Sequence, residues 1–230
     1  MSIDVYGHEA AVLRFRKPCI RQHSASIVTA LQSATLSSPI SRLYARDDFP
    51  PRPSAQYIHG APPPLPDALS FSEAGMDYFV NWEKSQKTGF YLDQRVNRDF
   101  VRSVAAGRDV LDVYAYTGGF SVAALHGGAR SVTSVDASAT YLATCERNVK
   151  HNKEMLGGER AGMQHSVHVG DAMKYLKEGA ADAAYDLVIV DPPSLAETRH
   201  SLDQARVYYR RLNTLALQKV RDLFFFAFFG

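Results

Sequence analysis

The chain has 230 residues, of which 46% are hydrophobic and 22% charged, and a formal net charge of +2. Such a chain can bury one sizeable core or two smaller ones; the values exclude a disordered protein and exclude nucleic-acid binding driven by bulk charge alone. Cys19 and Cys145 are too few for a disulfide framework, and no apolar run nears the roughly 20 residues that span a bilayer, so a cytoplasmic protein without membrane attachment is expected.

In chain order, IDVYGHEAAVLRF predicts a hairpin turning at Gly7 and His8, Ser26 to Gln32 a short helix, and SRLYAR a further strand. The proline-rich stretch 48–68 disfavours helix and marks a connecting or edge-strand region. LSFSEAGMDYFVNW predicts a second hairpin turning near Gly75. Residues 1–75 therefore read as a small α+β domain and 76–230 as a second domain. From Arg108 the rhythm changes. Four β-branched segments, DVLDVYAY, SVTSVDAS, HSVHVGDA and YDLVIVDPP, alternate with helical patterns such as Ser121 to Leu125 and Tyr141 to Val149. That alternation predicts a parallel, doubly wound α/β sheet of Rossmann-like type. Lys84, Lys87, Arg95 and Arg98 cluster before the first of these strands. Arg206, Arg210, Arg211, Lys219 and Arg221 recur after the fourth, interleaved with Tyr208 and Tyr209, a pattern suited to tracking phosphates and stacking a base. The closing FFFAFFG predicts a fifth strand, with the sheet expected to stop short of completion there.

Each of the four segments ends on or beside an acid, Asp112, Asp136, Asp171 or Asp191, and ligands of open α/β sheets lie outside the carboxyl ends of the strands. The loop after the first strand carries only Gly118 and Gly119. A dinucleotide needs glycine amides against its anionic pyrophosphate, and Asp112 at the start of the loop opposes such a group. S-adenosylmethionine has no phosphate and carries a sulfonium and an ammonium, so an acidic pocket suits it. Asp136 stands where a carboxylate accepts ribose hydroxyls, a role common to both ligand types. Asp171 either accepts from the adenine amino group or caps the helix that starts at Ala172. In Asp191-Pro192-Pro193, two prolines stop the strand and stiffen the backbone around a carboxylate that faces a flat substrate, which makes these three the candidate catalytic residues.

KTGFYLDQRVNRDFV, VLDVYAYTGGFSVAALHGGA, VDAS, ERNVKHN, GDAMKYL and DLVIVDPPSLAETR together resemble the bacterial large-subunit ribosomal RNA methyltransferases that make 5-methylcytosine, and their close relatives. The resemblance covers about residues 3–220. It implies S-adenosylmethionine as cofactor and ribosomal RNA as partner, and leaves a homodimer open. Lys87, Tyr91, Asp93, Gln94 and Arg95 would close over the cofactor. Asp112, Tyr116, Thr117, Gly118 and Gly119 would form the methionine-side loop, with Asp136 on the ribose, Asp171 on the adenine and Asp191 facing the target base. The PUA-type RNA-binding domain usual in that family is not in this sequence.

Carbon 5 of cytosine becomes nucleophilic only after a thiolate adds to carbon 6. The relatives carry that cysteine after the fifth strand, where this chain has QKVRDLFFFAFFG. Cys145 falls in a predicted helix and Cys19 in the small domain, so neither is expected to be the nucleophile. The expectation is a cofactor-binding methyltransferase domain that does not methylate carbon 5 by itself. The rivals are a cofactor- or RNA-binding fragment without turnover, a methyltransferase acting on a purine or exocyclic amine, and a nicotinamide-dependent oxidoreductase, whose glycine pattern is missing.

Overall fold

The computed structural model describes residues 1–6, 10–33, 40, 42–48, 54–60, 69–82, 85–158, 162–179, 185–193, 202–221 and 225–227. The chain divides into two compact units, Met1–Leu92 and Asp93–Gly230. The division falls after residues 76–92, which the sequence pattern had grouped with the second unit.

In the first unit, strands β1 (Ser2–Tyr6), β2 (Ala10–Phe15), β3 (Arg42–Asp47) and β4 (Ser54–His59) form one sheet in that order. β1 and β2 are antiparallel, β2 and β3 parallel, β3 and β4 antiparallel. The crossover between the parallel pair carries α1 (Pro18–Arg21) and α2 (Ser24–Ser33). Ile27, Val28 and Leu31 of α2, spaced at one helical face, pack on buried Leu13, Phe15 and Ala45. β4, inside the proline-rich stretch, is an edge strand, which is where a sheet tolerates neighbouring prolines; residues 49–53 and 61–68 lie outside the described part. A separate hairpin joins β5 (Leu69–Glu73) to β6 (Met76–Val80). Its two-residue turn puts Ala74 at φ 52° and Gly75 at φ 79°, the left-handed pair a tight hairpin requires.

The second unit opens with α3 (Arg95–Val104), then alternates β7 (Asp109–Val113), α4 (Gly119–His126), β8 (Ser131–Asp136), α5 (Ala139–Leu156), β9 (Gln164–Val169), α6 (Ala172–Glu178), β10 (Leu187–Val190), α7 (Leu202–Leu217) and β11 (Phe225–Ala227). The sheet order is β11-β10-β7-β8-β9 and every pairing is parallel. All four strands expected from the β-branched segments form, and the terminal phenylalanines supply the fifth. Within β7 the two faces differ. Leu111 and Val113 join Val135, Tyr175, Val188, Val190 and Leu212 in a core under α6 and α7. Asp112 projects to the other face, where α4 and α5 pack. The chain leaves β7 for β8 on one side and returns to β10 on the other, so the topological switch point lies between the carboxyl ends of β7 and β10.

Candidate functional site

The loop after β7 is tightly wound. Tyr114 and Tyr116 sit at φ 66° and 51° and Gly118 at φ 83°. Two non-glycine residues in the left-handed region persist only where surrounding bonds over-determine them. Those bonds are present. The Ala115 N–H donates to the Val135 carbonyl (3.0 Å), the Gly118 N–H to the Ala115 carbonyl (2.8 Å), and the Asn148 side-chain amide to the carbonyl of buried Thr117 (2.9 Å). The Tyr116 N–H donates to Asp136 Oδ2 (3.0 Å), and the Tyr116 ring meets Tyr141 edge-on at 4.5 Å. Gly118 and Gly119 admit the turn into α4; at Gly118 a methyl group would lie 2.6 Å from Cys145 Sγ.

Asp112 is fully buried beneath the start of α4, with Oδ2 accepting from the Ser121 hydroxyl (2.6 Å). Its other oxygen, Oδ1, has no partner among the described residues. Burial pushes the carboxyl up to about 7 against the pull of the Ser121 hydroxyl, and the nearby carboxylates of Asp191 and Asp136 push it further the same way. The sequence places Asp112 among four acids that line one rim; the structure makes it the buried floor of the loop.

Asp136 ends β8 and spends both oxygens on backbone donors, Oδ2 on Tyr116 and Oδ1 on the Ser138 N–H (2.8 Å). Each oxygen retains a second lone pair for a ligand hydroxyl. Asp171 is the N-cap of α6, accepting from the Lys174 N–H at 2.8 Å. It also borders an open cavity of about 800 Å³ between α6 and α7, with Met173, Val207 and Tyr208 among its lining. A volume of that order holds a nucleoside-sized ligand. Cap and ligand roles separate by substitution. Asp171→Ser retains a capping oxygen and is expected to melt close to the native chain, whereas Asp171→Ala loses about 1 kcal/mol. If Asp171 holds the adenine, both variants weaken cofactor binding alike, as calorimetric titration would read.

Asp191 follows β10 across the switch point. Its Oδ1 accepts from the Gln94 side-chain amide (3.2 Å), and Asn97 donates to Gln94 Oε1, which fixes the Gln94 amide with its NH2 toward Asp191. Pro192 is buried and Pro193 exposed. The Pro193 carbonyl accepts from the Tyr209 hydroxyl at 3.3 Å, and the Tyr208 hydroxyl bonds that of Tyr114 at 2.8 Å. The two tyrosines therefore tie α7 to both loops of the switch point. Asp93 and Arg95 are exposed at the start of α3. Lys87 and Tyr91 belong to the first unit, where the Lys87 ammonium stands 4.7 Å from the Tyr91 ring centroid.

The basic clusters are redistributed. Arg206, Arg210 and Arg211 are exposed on α7. Arg98 is only 2% exposed, so it belongs to the core and not to an RNA surface. Lys219 is buried and donates to the Gly179 carbonyl, while Arg221 pairs with Asp186 at 3.3 Å beside Asp109, the first residue of β7. Arg221 therefore lies at the amino end of the sheet, opposite the switch point. Lys84 lies outside the described residues.

Sequence reasoning left Ser121, Ser134 and Asn97 without roles. The signal was present in two of them: a serine in the first turn of an otherwise apolar α4, and a serine in the middle of the β-branched strand SVTSVD.

Taken as a test of the proposed cofactor, the residues fit. An unpartnered buried carboxylate oxygen lies under the loop, two further carboxylates flank the switch point, and an apolar cavity adjoins Asp171. Among the described residues there is no cluster of His, Cys, Asp and Glu that would hold a metal ion, and no helix is long and apolar enough to cross a membrane.

Known proteins agree with the fold. Residues 18–223 match the family model described as S-adenosylmethionine-dependent methyltransferase. A ribosomal RNA large subunit methyltransferase I from Erwinia tasmaniensis is 35% identical over 225 residues, 95% of this chain and 54% of the relative. A ribosomal RNA large subunit methyltransferase from Deinococcus radiodurans is 40% identical over 147 residues, 64% of this chain and 35% of the relative. The chain thus spans about half the length of the first and a third of the second. The crystal structure of SMU.776 complexed with SAH superposes with a TM-score of 0.77 at 27% identity, covering 98% of this chain and 56% of that one. With the switch-point geometry and a family match over most of its length, the chain belongs to the S-adenosylmethionine-dependent methyltransferases.

Proposed function

We propose that the chain binds S-adenosylmethionine at the carboxyl ends of β7, β8 and β9 and serves methylation of RNA in the cytoplasm, the RNA being that of the large ribosomal subunit. The observation that carries this reading is the gathering of Asp112, Asp136 and Asp191 about a loop with only two glycines, a site matched to a cation and mismatched to a pyrophosphate. When bound, the cofactor supplies an electrophilic methyl group. Asp136 accepts from the ribose hydroxyls, Asp171 from the adenine, and the Asp112 carboxylate offsets the positive end. Gln94 holds Asp191 toward the target base, and stiff backbone at Pro192 and Pro193 keeps that carboxylate in place. Arg206, Arg210 and Arg211 supply cations for RNA phosphates.

The sequence resemblance implies carbon 5 of cytosine as the target in the intact family. That chemistry needs a thiolate, and Cys145 does not provide one. Its thiol is buried between Gly118 and Ser134, and burial pushes it up to about 12. Cys19 belongs to the first unit. Titration calorimetry is therefore expected to show binding of S-adenosylmethionine and none of NAD. Incubation with labelled cofactor and large-subunit RNA is expected to leave 5-methylcytosine at background. NAD binding in place of S-adenosylmethionine would overturn the cofactor reading, and labelled 5-methylcytosine would overturn the thiol argument.

A further inference from the structure

Behind the loop, on the α4 and α5 side of the sheet, four polar side chains form a continuous chain. Asp112 Oδ2 accepts from Ser121 Oγ at 2.6 Å, Ser121 Oγ lies 2.7 Å from Ser134 Oγ, and Ser134 Oγ lies 2.9 Å from His165 Nε2. Cys145 Sγ sits alongside, 3.6 Å from Ser134 Oγ and 3.9 Å from His165 Nε2. Asp112, Ser121 and Ser134 are all fully buried. His165 stands on the edge strand β9 and borders a second open cavity, about 420 Å³, with Glu146, Lys150, Lys153 and Glu154 of α5.

Each hydroxyl has one proton to give, and this sets the direction of the whole chain. With Asp112 ionised, the Ser121 proton is spent on the carboxylate. Ser121 must then accept from Ser134, whose proton is thereby spent, and Ser134 accepts with its two lone pairs from His165 at 2.9 Å and, more weakly, from the Cys145 thiol at 3.6 Å. The imidazole is therefore held as its Nε2–H tautomer. A protonated Asp112 removes the demand at the far end and frees the chain to reverse. Hydrogen bonds in such a row polarise one another, so the last donor strengthens the first bond.

We propose that Ser134 and His165 are positioning residues for the cofactor loop: acting through Ser121, they hold the ionised Asp112 carboxylate in one rotamer, leaving Oδ1 as the acceptor for the amino-acid end of the cofactor. This rests on the S-adenosylmethionine reading above. Asp136 at the end of β8 and Asp191 after β10 act on Asp112 directly, Cys145 on α5 lies within its field, and Glu146 on α5 and His165 on β9 face Cys145 in turn. His165 itself stays neutral through the working range, since burial, reinforced by the Lys153 ammonium, pushes it down to about 4.

Two ligands separate positioning from general loosening. S-adenosylhomocysteine carries the amino-acid ammonium, and methylthioadenosine does not. In calorimetric titrations at pH 8, Ser134→Ala and His165→Leu are expected to weaken S-adenosylhomocysteine about tenfold while changing methylthioadenosine less than about twofold. His165→Gln, which returns an N–H donor, is expected to restore most of the loss. In the native chain, ¹⁵N spectra of His165 are expected to show the Nε2–H tautomer at pH 8. Equal losses for both ligands, unchanged affinity in Ser134→Ala and His165→Leu, or the opposite tautomer would overturn the positioning role and leave the cofactor reading standing. Failure of the native chain to bind either ligand would overturn both.

Discussion

Gly118→Ala is expected to abolish measurable cofactor binding and to lower the melting temperature more than any other single methyl added to the loop. Two costs combine at this position. Gly118 holds φ 83°, where an alanine is strained, and its new methyl would meet Cys145 Sγ at 2.6 Å and Cys145 Cα and Cβ at 3.1 Å. Strain of this kind costs on the order of 1 kcal/mol and overpacking a further ~1–3 kcal/mol. Relief comes only by moving the loop off α5, which also breaks the Asn148 bond to the Thr117 carbonyl and the Tyr116 bond to Asp136. The companion double variant, Gly118→Ala with Cys145→Ala, removes the sulfur but not the approach of the α5 backbone. It is expected to recover less than half of the lost stability and little binding. Thermal melts and calorimetric titration of the two variants decide the matter: a Gly118→Ala chain with native melting and native affinity would show that the loop does not form the site.

Asp112→Asn is expected to separate stability from binding. The Asp112 carboxyl is raised from an ordinary value of 3.8 to about 7 in the folded chain, so between those values the unfolded chain is ionised there and the folded chain holds a proton. An acid shifted in this direction contributes stability that is fully present below about pH 4 and is lost as pH rises through about 7. For a fully buried group the span amounts to on the order of 4 kcal/mol. Asparagine keeps an oxygen for Ser121 and cannot ionise. The stability of Asp112→Asn relative to the native chain is therefore expected to grow from pH 4 to pH 8 and to level off above that, as urea unfolding at several pH values would show. The same substitution removes the charge that faces the cofactor's positive end, so binding at pH 8 is expected to weaken even as the fold gains stability. A pH-independent difference between the two chains would mean that Asp112 ionises as freely in the fold as in water, and would overturn the upward push that burial gives its carboxyl.

Both expectations concern a residue whose position in the chain was legible and whose surroundings were not. VLDVYAYTGGFS reads from its own composition as strand, loop and helix, because β-branched runs and a glycine pair act locally. The acids at the ends of β7, β8, β9 and β10 were legible for the same reason. Their partners were not. Asp112 has the sequence signature of a rim acid, yet the alternation of β7 turns it under α4, where Ser121 and Ser134 meet it across 9 residues and across a strand register. Asp171 carries a cap that any helix start would reward. Arg98 and Lys219 look like surface cations and are buried, whereas Arg221 is drawn to Asp186 at the wrong end of the sheet for an RNA contact.

Local chemistry along the chain was thus sufficient to determine the alternating elements, their parallel pairing, the hairpin at Gly75 and the charge class of the cofactor. Tertiary structure alone decided which acids are floor, cap or open acceptor, and which buried hydroxyls line up behind them. The physical reason is that strand and helix periodicity acts over a few residues, while a hydrogen-bond partner or a shifted carboxyl depends on register and burial between segments up to 97 residues apart, as Gln94 and Asp191 are.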